Sequence, residues 1–144
     1  MTFDLQTTNA IADAIRVKGR LLLGEEVSEH TAHRSVEYFR ICQEQKLMKL
    51  FFAGSHDCFV FASLMNHHLV PDKTIASILV SYFAPQYRGI TSIKYVKKFI
   101  AWAKEQEADV IEVDDCLCTP RVGDLYEKFG FKRAETHYYQ VKEK

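Results

Sequence analysis

The sequence predicts an α/β domain in which helices are layered on a mixed β-sheet, and three observations lead there. The hydrophobic period changes along the chain from about 3.6 to 2 and back, so helices and strands come in blocks. The run "TIASILVSYF" (74–83) is β-branched and nearly continuously apolar, which suits a strand covered on both faces. From Thr91 onward, apolar residues cover so wide a helical arc that the helix must lie on a sheet and be partly covered on its flank. No repeat, low-complexity tract or Pro/Gly/Ser-rich linker divides the chain, so residues 1–144 read as a single domain.

The elements follow in order. "TFDL" reads as a short extended start, after which Asn9 can cap a helix carrying Ile11, Ala14, Ile15 and Leu22 at helical spacing. "GEEVSEH" breaks it, and Thr31 opens a second helix with Val36, Phe39 and Cys42 on one side and a polar end at "QEQK". "LMKLFFAG", "SHDC" and "CFVFASLMNHH" are strand, turn and strand, together a hairpin. "LVPDK" turns the chain into "TIASILVSYF", which Pro85 ends. In the next helix Ile93, Val96, Ile100 and Ala103 form one stripe, with Tyr95, Phe99 and Trp102 beside it. "ADVIEV" is a short buried strand. "TPRVGDLYEKFG" is a helix with Thr119 as N-cap, Pro120 at its first position and Gly130 as its stop. "FKRAETHYYQVK" alternates loosely and closes the sheet.

Composition bounds the function. With 144 residues the chain can bury roughly 70% of its unfolded surface. Its 47% hydrophobic and 26% charged residues are those of an ordinary globular domain. Nineteen basic residues balance nineteen acidic ones, so the basic excess of nucleic-acid and membrane-surface binders is missing. Neither partner is expected. Lys94, Lys97, Lys98 and Lys104 read as a solvated helix face. No basic leader with an apolar stretch opens the sequence, and no apolar run approaches the ~20 residues of a membrane span. Cys42, Cys58, Cys116 and Cys118 do not form a disulfide pattern in a chain with this core, and a reduced, cytoplasmic setting is expected. "DDCLCTP" has Cys-x-Cys spacing without a second pair, so the thiols read as small buried groups and no metal is expected.

One junction carries chemistry. "PQYRGITSIKYV" (85–96) runs from a strand into a helix. The first turn of a helix leaves about four N–H groups unpaired, and the dipole adds roughly half a positive charge. Arg88 supplies a permanent cation with a planar donor fork, Gly89 allows close backbone approach, and Thr91 or Ser92 can donate a hydroxyl or cap the helix. A pyrophosphate suits such a mouth. A plain strand-to-helix turn with Arg88 exposed is the other reading.

"SYFAPQYRGITSIKYVKKFI" resembles the acetyl-CoA motif of the GNAT family of acyl-CoA-dependent N-acetyltransferases: strand, Pro, a Tyr-Arg-Gly turn, a long helix. "TPRVGDLYEKFGFKRAE" is similar to the family's last helix and strand, with its Leu-Tyr-Glu-Lys-x-Gly-Phe signature. The resemblance implies a GNAT-like layered fold, its central mixed, mostly antiparallel twisted sheet flanked by about four helices. It implies acetyl-CoA as co-substrate, held by the main chain of Phe83, by Arg88, Gly89, Ile90, Thr91, Ser92 and Ile93, and by Thr119, where the family often has asparagine. The family pattern after the arginine is Arg-Gly-x-Gly-x-Gly/Ala; here Thr91 and Ile93 stand at the second and third small positions. Tyr126 occupies the position of the family's general acid; packing beside Leu125 and Phe129 is the alternative. The strand glutamate that many relatives use as a base is missing, leaving Glu112, Asp114, Asp115, His67 and His68 as substitutes. The implied acceptor is a primary amine, on a small molecule or a protein, with selectivity set by the N-terminal helices, the 66–73 turn and the C-terminal strand. The alternative is a non-catalytic GNAT-like binding or structural domain.

Overall fold

The structure, a computed structural model, describes residues 1–113, 122–134 and 140–142. The chain opens with helix α1 (Leu5–Leu23). The Asp4 carboxylate accepts the Thr7 N–H at 2.7 Å, so the helix begins where a strand was expected at "TFDL". An aspartate at this position satisfies one of the free N–H groups of the first turn, and a strand offers no such gain. Asn9 lies inside α1, where its carboxamide meets Nε2 of His33 at 3.2 Å. Gly24, at φ 72°, ends the helix in the left-handed conformation that glycine adopts most readily.

Helix α2 (Glu29–Glu44) is capped by Ser28, whose Oγ accepts the Thr31 N–H at 3.1 Å. Thr31 is therefore in the first turn and does not open it. Strands β1 (Lys49–Ser55) and β2 (Cys58–Asn66) form the hairpin, and β3 (Thr74–Phe83) pairs antiparallel with β2. A single 3-10 turn (Pro85–Tyr87) leads into α3 (Ile90–Glu105). Strand β4 (Val110–Glu112) pairs parallel to β3, and α4 (Val122–Lys128) follows. The sheet order is β1-β2-β3-β4 among the described residues. Residues 131–134 and 140–142 form no strand; the centre of the expected closing strand, 135–139, lies outside the described residues.

Helices cover both faces of the sheet. On one, α1 and α2 bury Ile11, Ala32 and Val36 against Phe59, Phe61 and Val80. Phe39 and Phe61 meet edge-on at 5.3 Å, fixing α2 to β2. On the other, Val96, Phe99 and Ala103 of α3 pack on Val60, Ala62 and Ile78, with Tyr126 of α4 in the same cluster. The fully buried stripe of α3 is Ser92, Val96, Phe99 and Ala103, so Phe99 takes a central place where Ile93 and Ile100 were expected. Each large apolar side chain buried this way contributes roughly 1.5–3 kcal/mol.

The β2–β3 register slips at one point. Phe61 faces Val80 and Ala62 faces Ile78, leaving Leu79 as an extra residue, a β-bulge. Leu79 and Val80 both pack on the α1 side, while Ile78 and Phe83 both face α3. Among the described residues, no helix is long and apolar enough to cross a membrane.

Candidate functional site

Among the described residues, the end of β3 is held on one side only. Ala84 N–H donates to the Asp57 carbonyl at 2.9 Å, so residues 84 and 57 are a hydrogen-bonded pair of the ladder. Hydrogen-bonded and non-bonded pairs alternate in antiparallel strands. Phe83, opposite Cys58, and Ser81, opposite Val60, therefore direct their main-chain groups away from β2. On that far edge β4 pairs only with Ile75, Ala76 and Ser77. From Ile78 to Phe83 the edge has no strand partner among the described residues. The Phe83 carbonyl there accepts Nε–H of Arg88 at 3.2 Å.

The chain then turns. Arg88 N–H donates to the Pro85 carbonyl at 3.4 Å. Gly89 has φ 103° and ψ −125°, and a Cβ placed on it would meet nothing within 4 Å. Its N–H donates to Ser92 Oγ at 3.1 Å, and the Ser92 hydroxyl donates back to the Gly89 carbonyl at 2.8 Å. Ser92 is buried and supplies this cap, while Thr91 is half-buried. The first bond of the helical ladder runs from Ile93 N–H to the Gly89 carbonyl at 3.0 Å. The amides of Ile90, Thr91 and Ser92 precede that ladder and lie at the positive end of a 16-residue helix. The Ile90 side chain is 88% exposed, and that of Ile93 is half-buried.

The sequence-predicted residues divide accordingly. Phe83, Arg88, Gly89, Ile90, Thr91, Ser92 and Ile93 come together at one end of the sheet. Arg88 Nε and the Gly89 amide are already engaged within the turn; the terminal nitrogens of Arg88 and the amides of Ile90, Thr91 and Ser92 stand outside those two bonds. Tyr126 is buried in the cluster that contains Phe83, Cys58 and Phe99, and its ring meets that of Phe131 at 6.0 Å. Thr119 lies outside the described residues, as do Asp114, Asp115, Cys116 and Cys118. Lys94 and Lys98 stand over the Tyr95 ring at 5.9 and 5.7 Å, and Lys97 over Phe129 at 5.9 Å. These lysines pack their stems on aromatic rings along the exposed side of α3.

His67 and His68 are elsewhere. Their rings stack at 4.9 Å in the β2–β3 turn, and Nδ1 of His67 accepts the Leu69 and Val70 amides. That turn precedes Thr74, at the opposite end of a ten-residue strand from Phe83, a separation of about 30 Å. The 66–73 turn therefore does not border the site. The hairpin turn at His56 and Asp57 does, through the Asp57–Ala84 bond. "SHDC" reads only as a turn because its partner belongs to another strand, and a local pattern carries no trace of that pairing.

No family model matches the sequence, and no curated protein matches it either. Solved structures do. A probable acetyltransferase superposes with a TM-score of 0.64 at 16% identity, covering 99% of this chain and 95% of its own. Glucosamine-6-phosphate N-acetyltransferase from Arabidopsis thaliana gives 0.57 at 15% identity, over 92% and 94%. A predicted acetyltransferase with acetyl-CoA from Clostridium acetobutylicum gives 0.59 at 16%, over 94% and 91%. The mixed sheet with helices on both its faces is thus the fold of the GNAT-type acetyltransferases.

Proposed function

We propose that the chain is an N-acetyltransferase that moves an acetyl group from acetyl-CoA to a primary amine by direct attack of the amine. The observation that carries this reading is the edge of β3 from Ile78 to Phe83, without a strand partner among the described residues, running into the mouth of α3. An extended polar chain ending in a diphosphate is complementary to that combination, with free main-chain groups along the strand and helix amides at its end. The open space at Gly89 fits a close approach to the backbone. The likeness to an N-acetyltransferase and to an acetyltransferase with acetyl-CoA supports the same choice of chemistry.

Acetyl-CoA supplies an acetyl group activated as a thioester. The amides of Ile90, Thr91 and Ser92 and the terminal nitrogens of Arg88 bind the phosphates, and the Ser81 and Phe83 main chain orients the arm. Tyr126 holds the proton for the departing sulfur; a phenol of pKa about 10 can protonate a thiolate whose thiol lies near 8.5 as charge develops. Burial in the cluster of Phe83 keeps water from its ring. The second reading, a non-catalytic GNAT-like domain, draws on the turn itself. Arg88 Nε and the Gly89 amide bond within the chain, and Thr91 and Ile93 replace small residues.

Titration with acetyl-CoA, followed by thermal unfolding, separates the two. At 100 times its dissociation constant the ligand adds about 2.7 kcal/mol of stability, a rise of several degrees. Arg88→Ala weakens binding and costs the unliganded protein no more than the roughly 1 kcal/mol of one hydrogen bond to the Phe83 carbonyl, because the rest of the side chain is exposed. Tyr126→Phe retains binding and loses turnover. A melting temperature unmoved at millimolar acetyl-CoA selects the non-catalytic domain.

A further inference from the structure

We infer that His56 is a proton-operated clamp beside the turn proposed above to bind acetyl-CoA: as an imidazolium it holds both Asp13 of α1 and the Asp57 side chain next to Ala84, and on losing its proton it keeps Asp13 and releases Asp57. The regulatory consequence rests on the coenzyme reading; the clamp itself does not.

Both ring nitrogens of His56 face carboxylates. Nε2 lies 2.7 Å from Oδ2 of Asp13 on α1, and Nδ1 lies 3.2 Å from Oδ1 of Asp57. A neutral imidazole has one N–H and one lone pair, so it can serve only one of these acceptors; the imidazolium serves both. Deprotonation turns a lone pair toward a carboxylate, and the longer contact, to Asp57, is the weaker of the two. The main chain of Asp57 in turn accepts the Ala84 N–H, one residue before the Pro85–Tyr87 turn that leads to Arg88 and Gly89. The proton on His56 is thus two bonds removed from the backbone that shapes the mouth of α3.

The charged surroundings favour the protonated form. Asp13 and Arg16 of α1 and Glu26 of the following loop line one open hollow of about 250 Å³. Arg16 Nε is turned to the Val27 carbonyl and Arg88 to the Phe83 carbonyl, so the groups hydrogen-bonded to the ring are Asp13 and Asp57. Hydrogen bonds to these two carboxylates, Asp13 first, raise the His56 pKa above its ordinary value. The clamp is therefore closed at mildly acidic pH and opens as pH rises through that raised value.

An NMR titration of the His56 ring in the full chain, with amide exchange at Ala84 and acetyl-CoA affinity measured between pH 6 and 9, tests this. The ring binds its proton more tightly than free histidine, and Asp57→Asn lowers that binding constant by about threefold or more. Ala84 exchange, corrected for its intrinsic pH dependence, accelerates across the same titration in the wild type and not in His56→Gln. Affinity for acetyl-CoA falls by about threefold over that range in the wild type, and His56→Gln abolishes the difference. A ring that titrates like free histidine and ignores Asp57→Asn, or Ala84 protection that is constant across the titration, overturns the clamp. Affinity whose pH dependence is the same in His56→Gln overturns its regulatory role. If ring and Ala84 respond as stated while acetyl-CoA binds at no pH, the clamp stands and the coenzyme reading falls.

Discussion

Replacing Gly89 with alanine tests the backbone at the mouth of α3 without touching any neighbour. The added Cβ meets nothing within 4 Å, so packing contributes no penalty. The cost comes from φ 103° with ψ −125°, a conformation that is essentially closed to residues bearing a side chain. Holding alanine there costs about 1–3 kcal/mol, offset by about 0.4–1 kcal/mol from the stiffer unfolded chain. The net loss is then roughly 1–2 kcal/mol. With a urea slope of about 2 kcal/mol per molar, the unfolding midpoint should drop by roughly 0.5–1 M. Gly24→Ala provides the control, because it is equally unobstructed but sits at φ 72°, ψ 10°, in the milder left-handed helical region. It should lose less than Gly89→Ala. A Gly89→Ala protein as stable as wild type, or less perturbed than Gly24→Ala, would refute the conformation assigned to this turn and the amide geometry that depends on it.

Two further outcomes follow from the same hydrogen bonds. Ser92→Ala removes the hydroxyl that both accepts the Gly89 amide and donates to its carbonyl, and should cost about 1–2 kcal/mol in urea unfolding; faster amide exchange at Gly89 would accompany it. Asp109 accepts the Thr74 amide at 2.8 Å and its hydroxyl at 3.3 Å, joining the start of β3 to β4. The Thr74 amide holds its carboxyl below the usual range, so its contribution is present above the unfolded value near 3.9 and is lost as pH falls through the lower folded value. Between about pH 5 and 2.5 the wild type should therefore lose more stability than Asp109→Asn; parallel pH profiles would show that this contact does not support the sheet.

Strand β3 was legible to the residue, since "TIASILVSYF" is β-branched, apolar on both sides and closed by Pro85. The helix starts were not. Phe3 and Leu5 alternate around Asp4 as a strand would, yet the Asp4 side chain closes a helical turn on Thr7. Ser28 is the better cap by residue type, and a reading that opens the second helix at Thr31 passes over it inside the break "GEEVSEH". Within the site, the arginine-glycine turn and the helix mouth follow from local chemistry, and Ser92 caps as one of two hydroxyls considered. The edge of β3 left without a strand partner among the described residues depends on which residues β4 pairs with, and the clamp at His56 on a carboxylate in α1. Such contacts join distant segments, and neither periodicity nor spacing records them.

The extra residue at Leu79 makes β3 sensitive to length in a way that substitution does not reveal. Upstream of it the even-numbered positions look toward α3; downstream the odd-numbered ones do. Excising Leu79 or Val80 would restore plain alternation and leave the residues on either side in the layers they already occupy, whereas excising a residue elsewhere in the strand would drive side chains into the opposite layer. A library of single-codon deletions should thus find Leu79–Val80 the most forgiving point of an otherwise intolerant strand, even though apolar substitutions are accepted on both sides of it.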